Sequence, residues 1–162
     1  MDFQAFSEDI QDISNAATME LQIETAIKNI AQIWKKQKFE MAFYRDGLYR
    51  IKNVDDCNQL LEEHMVQISA MKSTRFVEPF IVVVDYWEKT LSYISECFEK
   101  ALSVQRQWLY LENIFLGDDI RKQLPLEAKR FQAVTDEFRI ISVKMYGAKT
   151  ALKATHLRKP PF

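Results

Sequence analysis

Glycine and proline are scarce in this sequence, which has three glycines and four prolines among its 162 residues. Both residue types interrupt helices and form tight turns, so their scarcity predicts long helices with few breaks. A glycine-rich phosphate-binding loop is excluded, because the three glycines lie far apart in the sequence. The His-Glu-x-x-His, Gly-x-Ser-x-Gly and Cys-x-x-Cys motifs are also missing. No catalytic, cofactor-binding or metal-binding residue is therefore predicted, and the chain by itself is not expected to be an enzyme.

Cysteines are also few, and neither charge sign dominates. Cys57 and Cys97 lie in helix-like contexts, which favours free thiols in a reducing compartment and excludes a disulfide scaffold. Lys and Arg number 22 against 23 Asp and Glu, so no overall field favours nucleic acid or anionic lipid. No apolar run reaches the roughly 18 residues of a membrane span, and the acidic N-terminal residues do not resemble a signal peptide. These features predict a soluble cytoplasmic protein without nucleic-acid or membrane partners.

Apolar residues make up 48% of the chain, and most of them recur at helical spacing. Residues 1–37 are predicted to be helical, because apolar side chains follow one another every three or four residues. The first series is Phe6, Ile10, Ile13 and Ala17, and the second is Met19, Ile23, Ile27, Ile30 and Trp34. The two series form either one helix or two helices with a break near Asn15.

A β-hairpin is predicted over residues 39–52, where two short aromatic runs flank the dipeptide Asp46-Gly47. Asp-Gly is typical of a tight hairpin turn, because glycine adopts a positive φ without steric cost. A two-residue loop would pair Tyr44 with Tyr49 and Phe43 with Arg50. A lone hairpin is only marginally stable in water, so this one is expected to lie against helices.

A second helical segment is predicted over residues 53–72, with Asn53 as a side-chain cap and acidic residues in the first turn. Cys57 and His64 lie on its apolar face. Seven residues are two helical turns, about 10 Å, so these two side chains are too far apart to coordinate one metal ion. His64 is accordingly predicted to be a buried core histidine.

The longest predicted element is a helix over residues 75–116, with Pro79 near its first turn. Its apolar face alternates spacings of four and three residues: Phe80, Val84, Trp87, Leu91, Ile94, Phe98, Ala101, Gln105, Trp108, Glu112 and Phe115. Such a helix spans on the order of 55 Å, which indicates an elongated protein. The predicted core residues are Trp87, Phe98, Trp108 and Phe115. The two polar positions, Gln105 and Glu112, either satisfy backbone groups of a neighbouring turn or face a partner.

Residues 118–146 are predicted to form two further helices, followed by a tail over residues 147–162 whose last five residues, 158–162, are expected to be a frayed or truncated end. Gly117 is expected to end the long helix in the left-handed conformation, and Asp118-Asp119 to cap the short helix that follows. The last long helix has one predicted apolar face: Phe131, Val134, Phe138, Ile141 and Met145. Together the elements predict a mostly α fold in one unit, an elongated antiparallel helical bundle with one long central helix and one small β-hairpin.

Residues 104–115, Val-Gln-Arg-Gln-Trp-Leu-Tyr-Leu-Glu-Asn-Ile-Phe, are followed by Asp119-Ile120, Gln123-Leu-Pro125 and Lys129-Arg-Phe131. Upstream come Trp34, the tyrosine-containing hairpin and Trp87-Glu88, in that order. This combination resembles the linker region of dynein heavy chains, over roughly residues 10–152. Asn113 stands where many members of that family have proline. The run Tyr-Leu-Glu-Asn-Ile-Phe is closer to axonemal than to cytoplasmic members.

The resemblance implies a mechanical role. In dyneins the linker is a curved stack of helices that bends over the AAA+ ring as the ring hydrolyses ATP. This chain is then a non-catalytic lever segment in microtubule-based motility, although a full-length parent would be an ATPase. Its expected partners are the remaining linker helices and the AAA+ ring, without direct microtubule contact. Its expected location is cytoskeletal, including the ciliary axoneme, and the candidate breaks in the lever are residues 73–78, residues 117–125 and Gly147.

Four charged residues are candidates for contact with the ring or another partner: Arg106, Glu112, Arg121 and Lys122. The family's linker continues past the position of Phe162, so a linker segment is expected to expose apolar surface that further helices would cover. The alternative is a freestanding helical scaffold that binds a protein through the apolar face of residues 80–115 as a coiled-coil seam. Trp87 and Trp108 are bulky for a two-stranded seam, which favours a multi-helix bundle.

Overall fold

The computed structural model of the chain describes residues 3–155. Within that range the helices are α1 (Phe3–Trp34), α2 (Val54–Lys72), α3 (Ile81–Phe115), α4 (Asp118–Gln123), α5 (Pro125–Gly147) and α6 (Ala151–Ala154). A 3-10 helix, Arg75–Phe80, leads directly into α3, and the strands are β1 (Met41–Phe43) and β2 (Tyr49–Ile51). The prediction of a mostly α fold with a long central helix and one small hairpin is confirmed.

α1 is a single helix that continues through Asn15, so of the two alternatives the one-helix form is correct. Its fully buried positions begin at Ile23 and end at Trp34. The N-terminal half also has the predicted apolar face, but none of the elements between residues 3 and 155 covers it. Phe6 and Ile13 are 67% and 70% exposed there.

The core forms where α2, the 3-10 helix and the C-terminal half of α1 pack against α3. Trp87, Leu91, Ile94 and Phe98 of α3 are almost completely buried, as their spacing predicts. Full burial of one such side chain is worth about 1.5–3 kcal/mol relative to exposure. α3 has 35 residues and spans roughly 52 Å at about 1.5 Å per residue.

The hairpin forms where predicted, but its register differs by one residue. Phe43 lies opposite Tyr49, whereas the two-residue loop would have paired Phe43 with Arg50 and Tyr44 with Tyr49. The predicted pairs are therefore wrong. The difference arises from a bulge next to the turn, which is described with the site below.

Two predicted helix ends are wrong in detail. Asn53 precedes α2 with a left-handed φ of 49°, which turns the chain sharply from β2 into the helix, and its side-chain amide donates to Glu40 instead of capping α2. Gly117 is extended, with φ −75° and ψ 125°, rather than left-handed. α4 begins one residue after Gly117, so this glycine takes the extended conformation typical of an N-cap. Asp118 is the first residue of α4 and makes no side-chain cap.

The inward face of α5 is rotated slightly from the one predicted: Phe131, Phe138 and Met145 lie inward as expected, but Val134 and Ile141 do not. Thr135 and Ser142 are buried, whereas Val134 and Ile141 are about half exposed. The inward positions are Phe131, Thr135, Phe138, Ser142 and Met145, which keep the helical spacing with a rotated face. The Thr135 and Ser142 hydroxyls donate to carbonyls one turn earlier, so their burial leaves no hydroxyl proton unpaired.

The first part of the predicted tail is ordered against the core, while the predicted frayed stretch, residues 158–162, lies outside the described residues. Ala151 and Leu152 of α6 are buried. The Ala151 N–H donates to the Gln37 carbonyl at 2.7 Å, which joins the end of the chain to the turn after α1. Residues 156–162 of the predicted tail lie outside the described residues.

Candidate functional site

The C-terminal half of α3 holds the hairpin and α5 through a set of buried and half-buried polar contacts. We call this set the hairpin clasp and define it by five side chains: Tyr44, Arg45, Gln105, Trp108 and Glu112. It includes both polar positions that interrupt the apolar face of α3. Each of the five side chains joins two different elements.

A β-bulge points two adjacent hairpin side chains at the same target. The turn residues Asp46 and Gly47 have the expected positive φ angles of 50° and 75°. The Leu48 carbonyl accepts a hydrogen bond from the Tyr44 N–H at 2.8 Å, and the Leu48 N–H donates to the Arg45 carbonyl. Tyr44 and Arg45 therefore both lie opposite Leu48. In a regular strand neighbouring side chains point to opposite faces, whereas this bulge lets both reach α3.

Glu112 is the target of both side chains. The Tyr44 hydroxyl donates to Glu112 Oε2 at 2.8 Å, and Arg45 Nε donates to Glu112 Oε1 at 2.8 Å. Arg45 Nη2 also contacts Oε1, so the guanidinium engages the carboxylate through two nitrogens. The hydrogen bond to Glu112 raises the pKa of the Tyr44 phenol and that of the Arg45 guanidinium. A carboxylate this deeply buried needs such partners, because an unpaired buried charge is strongly destabilising.

Gln105 binds the backbone of β2. Its Oε1 accepts the Ile51 N–H at 2.7 Å, and its Nε2 donates to the Ile51 carbonyl at 3.2 Å. The amide thus pairs with both backbone groups that the outer edge of this strand would otherwise expose. Gln105 thus satisfies backbone groups, as one of the two interpretations held, but those of a strand rather than of a turn; Glu112, bonded to two side chains, fits neither interpretation.

Trp108 joins α3 to α5. Its indole N–H donates to Thr135 Oγ1 at 3.0 Å, and its ring is buried. The ring centroids of Phe138 and Tyr44 lie 5.2 Å and 6.0 Å away, and Phe131 stacks nearby. Aromatic pairs at such distances add about 0.5–1.5 kcal/mol to the free energy gained by burial alone.

The outer side of the hairpin is held by α5. The Tyr49 ring stacks on Tyr146 with a centroid distance of 3.9 Å, and the Tyr49 N–H donates to Ser142 Oγ at 3.3 Å. Arg139 Nε donates to the Asp46 carbonyl in the turn at 2.9 Å. The hairpin therefore lies between α3 and α5 and is bonded to both. The hydroxyls of α5 gave no signal in the sequence, because residues such as Ser142 are usually exposed on helices.

A cavity of about 310 Å³ opens beside the clasp, between the turn, α3 and α5. Three guanidinium groups border it, and each has a partner within the chain: Arg45 binds Glu112, Arg121 donates to the Phe115 carbonyl, and Arg139 binds Asp136. The cations of this cavity serve to connect elements of the chain.

His64 is buried in the main core, as predicted. Its Nδ1 accepts the indole N–H of Trp34 at 2.9 Å, so Nδ1 carries no proton in this contact. Burial lowers the pKa of the imidazole. Burial also raises the pKa of the Cys57 thiol to about 11, which leaves that thiol protonated near neutral pH. Between residues 3 and 155, His, Cys, Asp and Glu side chains form no cluster of three or more that could hold a metal ion.

The four candidate contact residues lie in two different settings. Arg106, Arg121 and Lys122 are exposed, on α3 and α4. Glu112 faces inward and is bonded to Tyr44 and Arg45 within the chain. The structure does not bring the four together on one surface. Sequence reasoning missed Tyr44 and Arg45 as partners of Glu112, although an acidic residue on an apolar helix face is a signal that a cation or hydroxyl lies opposite.

These contacts define a structural class: an elongated helical segment in which the buried polar groups join helix to hairpin. The family model described as dynein heavy chain, N-terminal region 2, matches residues 1–159. Dynein axonemal heavy chain 2 of Mus musculus is 45% identical over 150 residues, and its Homo sapiens counterpart is 46% identical, each covering 92% of this chain. The dynein-1-beta heavy chain of the flagellar inner arm I1 complex of Chlamydomonas reinhardtii is 43% identical over 146 residues, 90% of this chain.

The chain belongs to the dynein heavy chain family. It spans 3% of the length of each of these relatives. Among the described residues, no helix is both long enough and apolar enough to cross a membrane.

Proposed function

We propose that this chain is a mechanical, non-catalytic segment of the linker of an axonemal dynein heavy chain, where it forms a stiff part of the lever above the AAA+ ring. The proposal rests on the observation that other elements pack against α3 along most of its length. This helix of 35 residues is packed by α2 in its first part and by the hairpin clasp in its second part. Close-packed interiors transmit strain, so a helix supported in this way resists bending.

The proposed bending points lie where the helices end. Residues 73–78 connect α2 to α3 through a 3-10 turn, and α4 separates α3 from α5 between Gly117 and Pro125. Gly147 is the last residue of α5. Hinges are usually a few residues at the ends of elements, which fits these three places.

The partners in this proposal are the remaining linker helices and, transiently, the AAA+ ring of the same motor. Direct contact with microtubules is not part of the proposal. The relatives of the chain include axonemal and flagellar dyneins, which supports a cytoskeletal, ciliary location. Of the candidate contact residues, Arg106, Arg121 and Lys122 are exposed and are the ones we propose for the ring.

Two measurements on the purified chain test the non-catalytic part of the proposal. We expect no ATP hydrolysis by the chain alone, and we expect it to bind a purified fragment that contains the downstream linker and the ring. Alanine substitutions at Arg106, Arg121 and Lys122 should weaken that binding. Measurable ATP turnover, or no binding to the fragment, would contradict the proposal.

The lever role itself is tested in a complete heavy chain. The double variant Tyr44→Phe, Glu112→Gln keeps the shapes of both side chains but removes their hydrogen bond and the charge pair with Arg45. We expect slower microtubule gliding at an unchanged ATPase rate, because a softer lever transmits less of each stroke. The control is Glu62→Gln, an exposed acid on α2. Unchanged gliding by the double variant, with its clasp weakened, would argue against a load-bearing role.

A further inference from the structure

The N-terminal half of α1 has a continuous apolar face that the rest of the described chain leaves uncovered. Phe6, Ile10, Ile13 and Ala17 lie on one side of the helix at spacings of four, three and four residues, and all are exposed. α1 has no fully buried residue before Ile23 among its described side chains. A helical stretch of this length without tertiary contacts is only marginally stable in water, so a covering partner would stabilise it.

The uncovered face leads into a groove. Positions seven residues apart lie on the same side of a helix, so the face continues from Ala17 to Glu24 and then to Ala31. Glu24 and the buried Ala31 border a mainly apolar groove of about 340 Å³, together with Phe80 of the 3-10 helix and Val83 of α3. Lys28 and Lys35 also border this groove, and Lys28 pairs with Glu24, so the unpaired acidic edge is confined to the part of α1 before Glu24. From Phe6 to Ala31 the face extends for roughly 38 Å at about 1.5 Å per residue. That length suits one helix of about seven turns lying along α1.

The charge on this part of α1 identifies the chemistry of the occupant. Every charged side chain between residues 3 and 27 is acidic: Glu8, Asp9, Asp12, Glu20 and Glu24. Asp9 and Glu20 border one side of the apolar face, while Ser7 and Ser14 border the other. A second copy lying antiparallel would place the two acidic edges against each other, which is destabilising. A second copy lying parallel would place Asp9 and Glu20 opposite Ser7 and Ser14, which supply no cation. A helix with Lys or Arg along one edge of its apolar face would instead pair with Asp9 and Glu20.

We propose that the face from Phe6 to Ala31 is the docking site of a basic amphipathic helix. The apolar positions of that helix cover Phe6, Ile10 and Ile13, and its basic edge meets the acidic edge of α1. Its C-terminal turns occupy the groove at Phe80 and Val83 if it runs in the direction of α1, and its N-terminal turns do so if it runs in the opposite direction. The proposal does not depend on the lever role, so either can fail without the other.

The test uses the whole chain and two synthetic helical peptides of seven turns. Both peptides carry leucine at spacings of four and three; one has lysine along one edge, and the other has glutamate at the same positions. Fluorescence anisotropy at low salt should show the lysine peptide binding at least about tenfold more tightly than the glutamate peptide. Added salt should reduce this preference, because it screens exposed charges.

Two pairs of variants locate the binding. Asp9→Lys with Glu20→Lys should reverse the preference between the peptides, whereas Glu62→Lys with Glu99→Lys, on the exposed sides of α2 and α3, should leave it unchanged. Ile10→Ala with Ile13→Ala should weaken binding of the lysine peptide at least about tenfold, whereas Val66→Ala on α2 should not. Alanine favours helix more than isoleucine does, so a loss of binding would not reflect a loss of helix.

Three outcomes would overturn the proposal. The first is equal affinity for the two peptides at low salt. The second is a full-strength complex with the Ile10→Ala, Ile13→Ala variant, which would place the binding site elsewhere. The third is a dimer of the wild-type chain in sedimentation that becomes monomeric in this variant, because the face would then be covered by a second copy.

Discussion

Buried and half-buried polar side chains form specific bonds at several points among the described residues, for example His64 with Trp34, Gln105 with Ile51, and Glu112 with Tyr44 and Arg45. At each point the polar residue lies on an otherwise apolar helix face. A buried hydrogen bond contributes only about 0.5–1.5 kcal/mol net, but leaving one partner unpaired costs about 1–3 kcal/mol. Any other arrangement of the helices would leave these polar groups buried without a partner, so these residues favour the observed arrangement.

His64 makes the stability of the chain depend on pH. Burial lowers its pKa below the ordinary value of 6.5, so the unfolded chain binds the proton more readily than the folded chain does. The free energy of unfolding is then highest above pH 6.5 and falls as the pH drops from 6.5 towards the lowered pKa of the folded state. Protonation of Nδ1 would also place a proton opposite the Trp34 N–H.

The measurement is urea unfolding between about pH 8 and pH 5, the range in which histidine titrates. His64→Gln can still accept the Trp34 N–H but does not titrate, so its unfolding free energy should fall less over the same range. An identical pH dependence in the wild type and the variant would show that other groups are responsible.

Trp108 should be the costliest single truncation in the clasp. Trp108→Ala removes a buried ring, its contacts with Phe138 and Tyr44, and the donor to Thr135. The expected loss is about 3–5 kcal/mol of unfolding free energy, measured by urea unfolding. Val82→Ala, at a site on α3 that is 75% exposed, should change the value by no more than about 0.5 kcal/mol. Equal effects of the two substitutions would refute the packing described for Trp108.

At the scale of the elements, backbone conformation separates the three glycines. Gly47 has a φ of +75°, and an alanine Cβ there would meet only Arg139 Cδ at an ordinary 3.8 Å, so the cost of Gly47→Ala is conformational. We expect a loss of about 1–2 kcal/mol. Gly117 has a φ of −75°, and a Cβ there would touch Ile120 only at an ordinary 3.8 Å. Gly117→Ala should therefore avoid the left-handed strain of Gly47→Ala and lose only the preference for glycine over alanine at an N-cap.

Thermal unfolding of Gly47→Ala, Gly117→Ala and Gly147→Ala provides the comparison. Gly147 is the last residue of α5 with no neighbouring atom within 4 Å of an added Cβ, so Gly147→Ala serves as the control. A large decrease in Tm for Gly117→Ala would indicate that the chain uses a left-handed residue at that helix end after all.

The positions and types of the elements could largely be predicted from the sequence. Apolar spacing located α2 and α3 and the buried face of each, because these helices are covered along one side by the core. The spacing of apolar residues did not predict the inward face of α5 correctly, because two of its buried residues, Thr135 and Ser142, are polar. The spacing method counts apolar residues, whereas α5 is oriented by hydrogen bonds from Trp108 and from Tyr49. The hairpin register failed for a related reason, since contacts with α3 decide where the bulge forms.

At the scale of the whole molecule, the end of the described chain helps to close the core. Ala151 of α6 donates to the Gln37 carbonyl after α1, and Leu152 is buried among the core residues. Leu152→Ala should lower the free energy of unfolding by about 2–5 kcal/mol. Leu126→Ala, at an exposed position of α5, is the matched control, and its effect should stay within about 0.5 kcal/mol. Urea unfolding checks both, and a Leu152→Ala variant as stable as the control would mean that α6 is dispensable.

The surface of the molecule also carries apolar side chains that the described chain does not cover. One set lies on the first half of α1, and another consists of exposed side chains of α5: Val134, Ile140, Ile141 and Val143. Exposed apolar faces of this kind mark interaction surfaces. In the linker role proposed above, further helices would cover these faces.

The sequence by itself determined the helical class, the length of α3, the turn at Gly47 and the family, because scarcity of glycine and proline, apolar spacing and residue motifs are local properties of the chain. The tertiary structure decided the hairpin register, the inward face of α5, the internal role of Glu112 and the docking of α6. Each of these depends on which distant group satisfies a buried polar atom or fills space beside it. These contacts join residues far apart in sequence, such as Tyr44 and Glu112. Local sequence patterns therefore do not predict them.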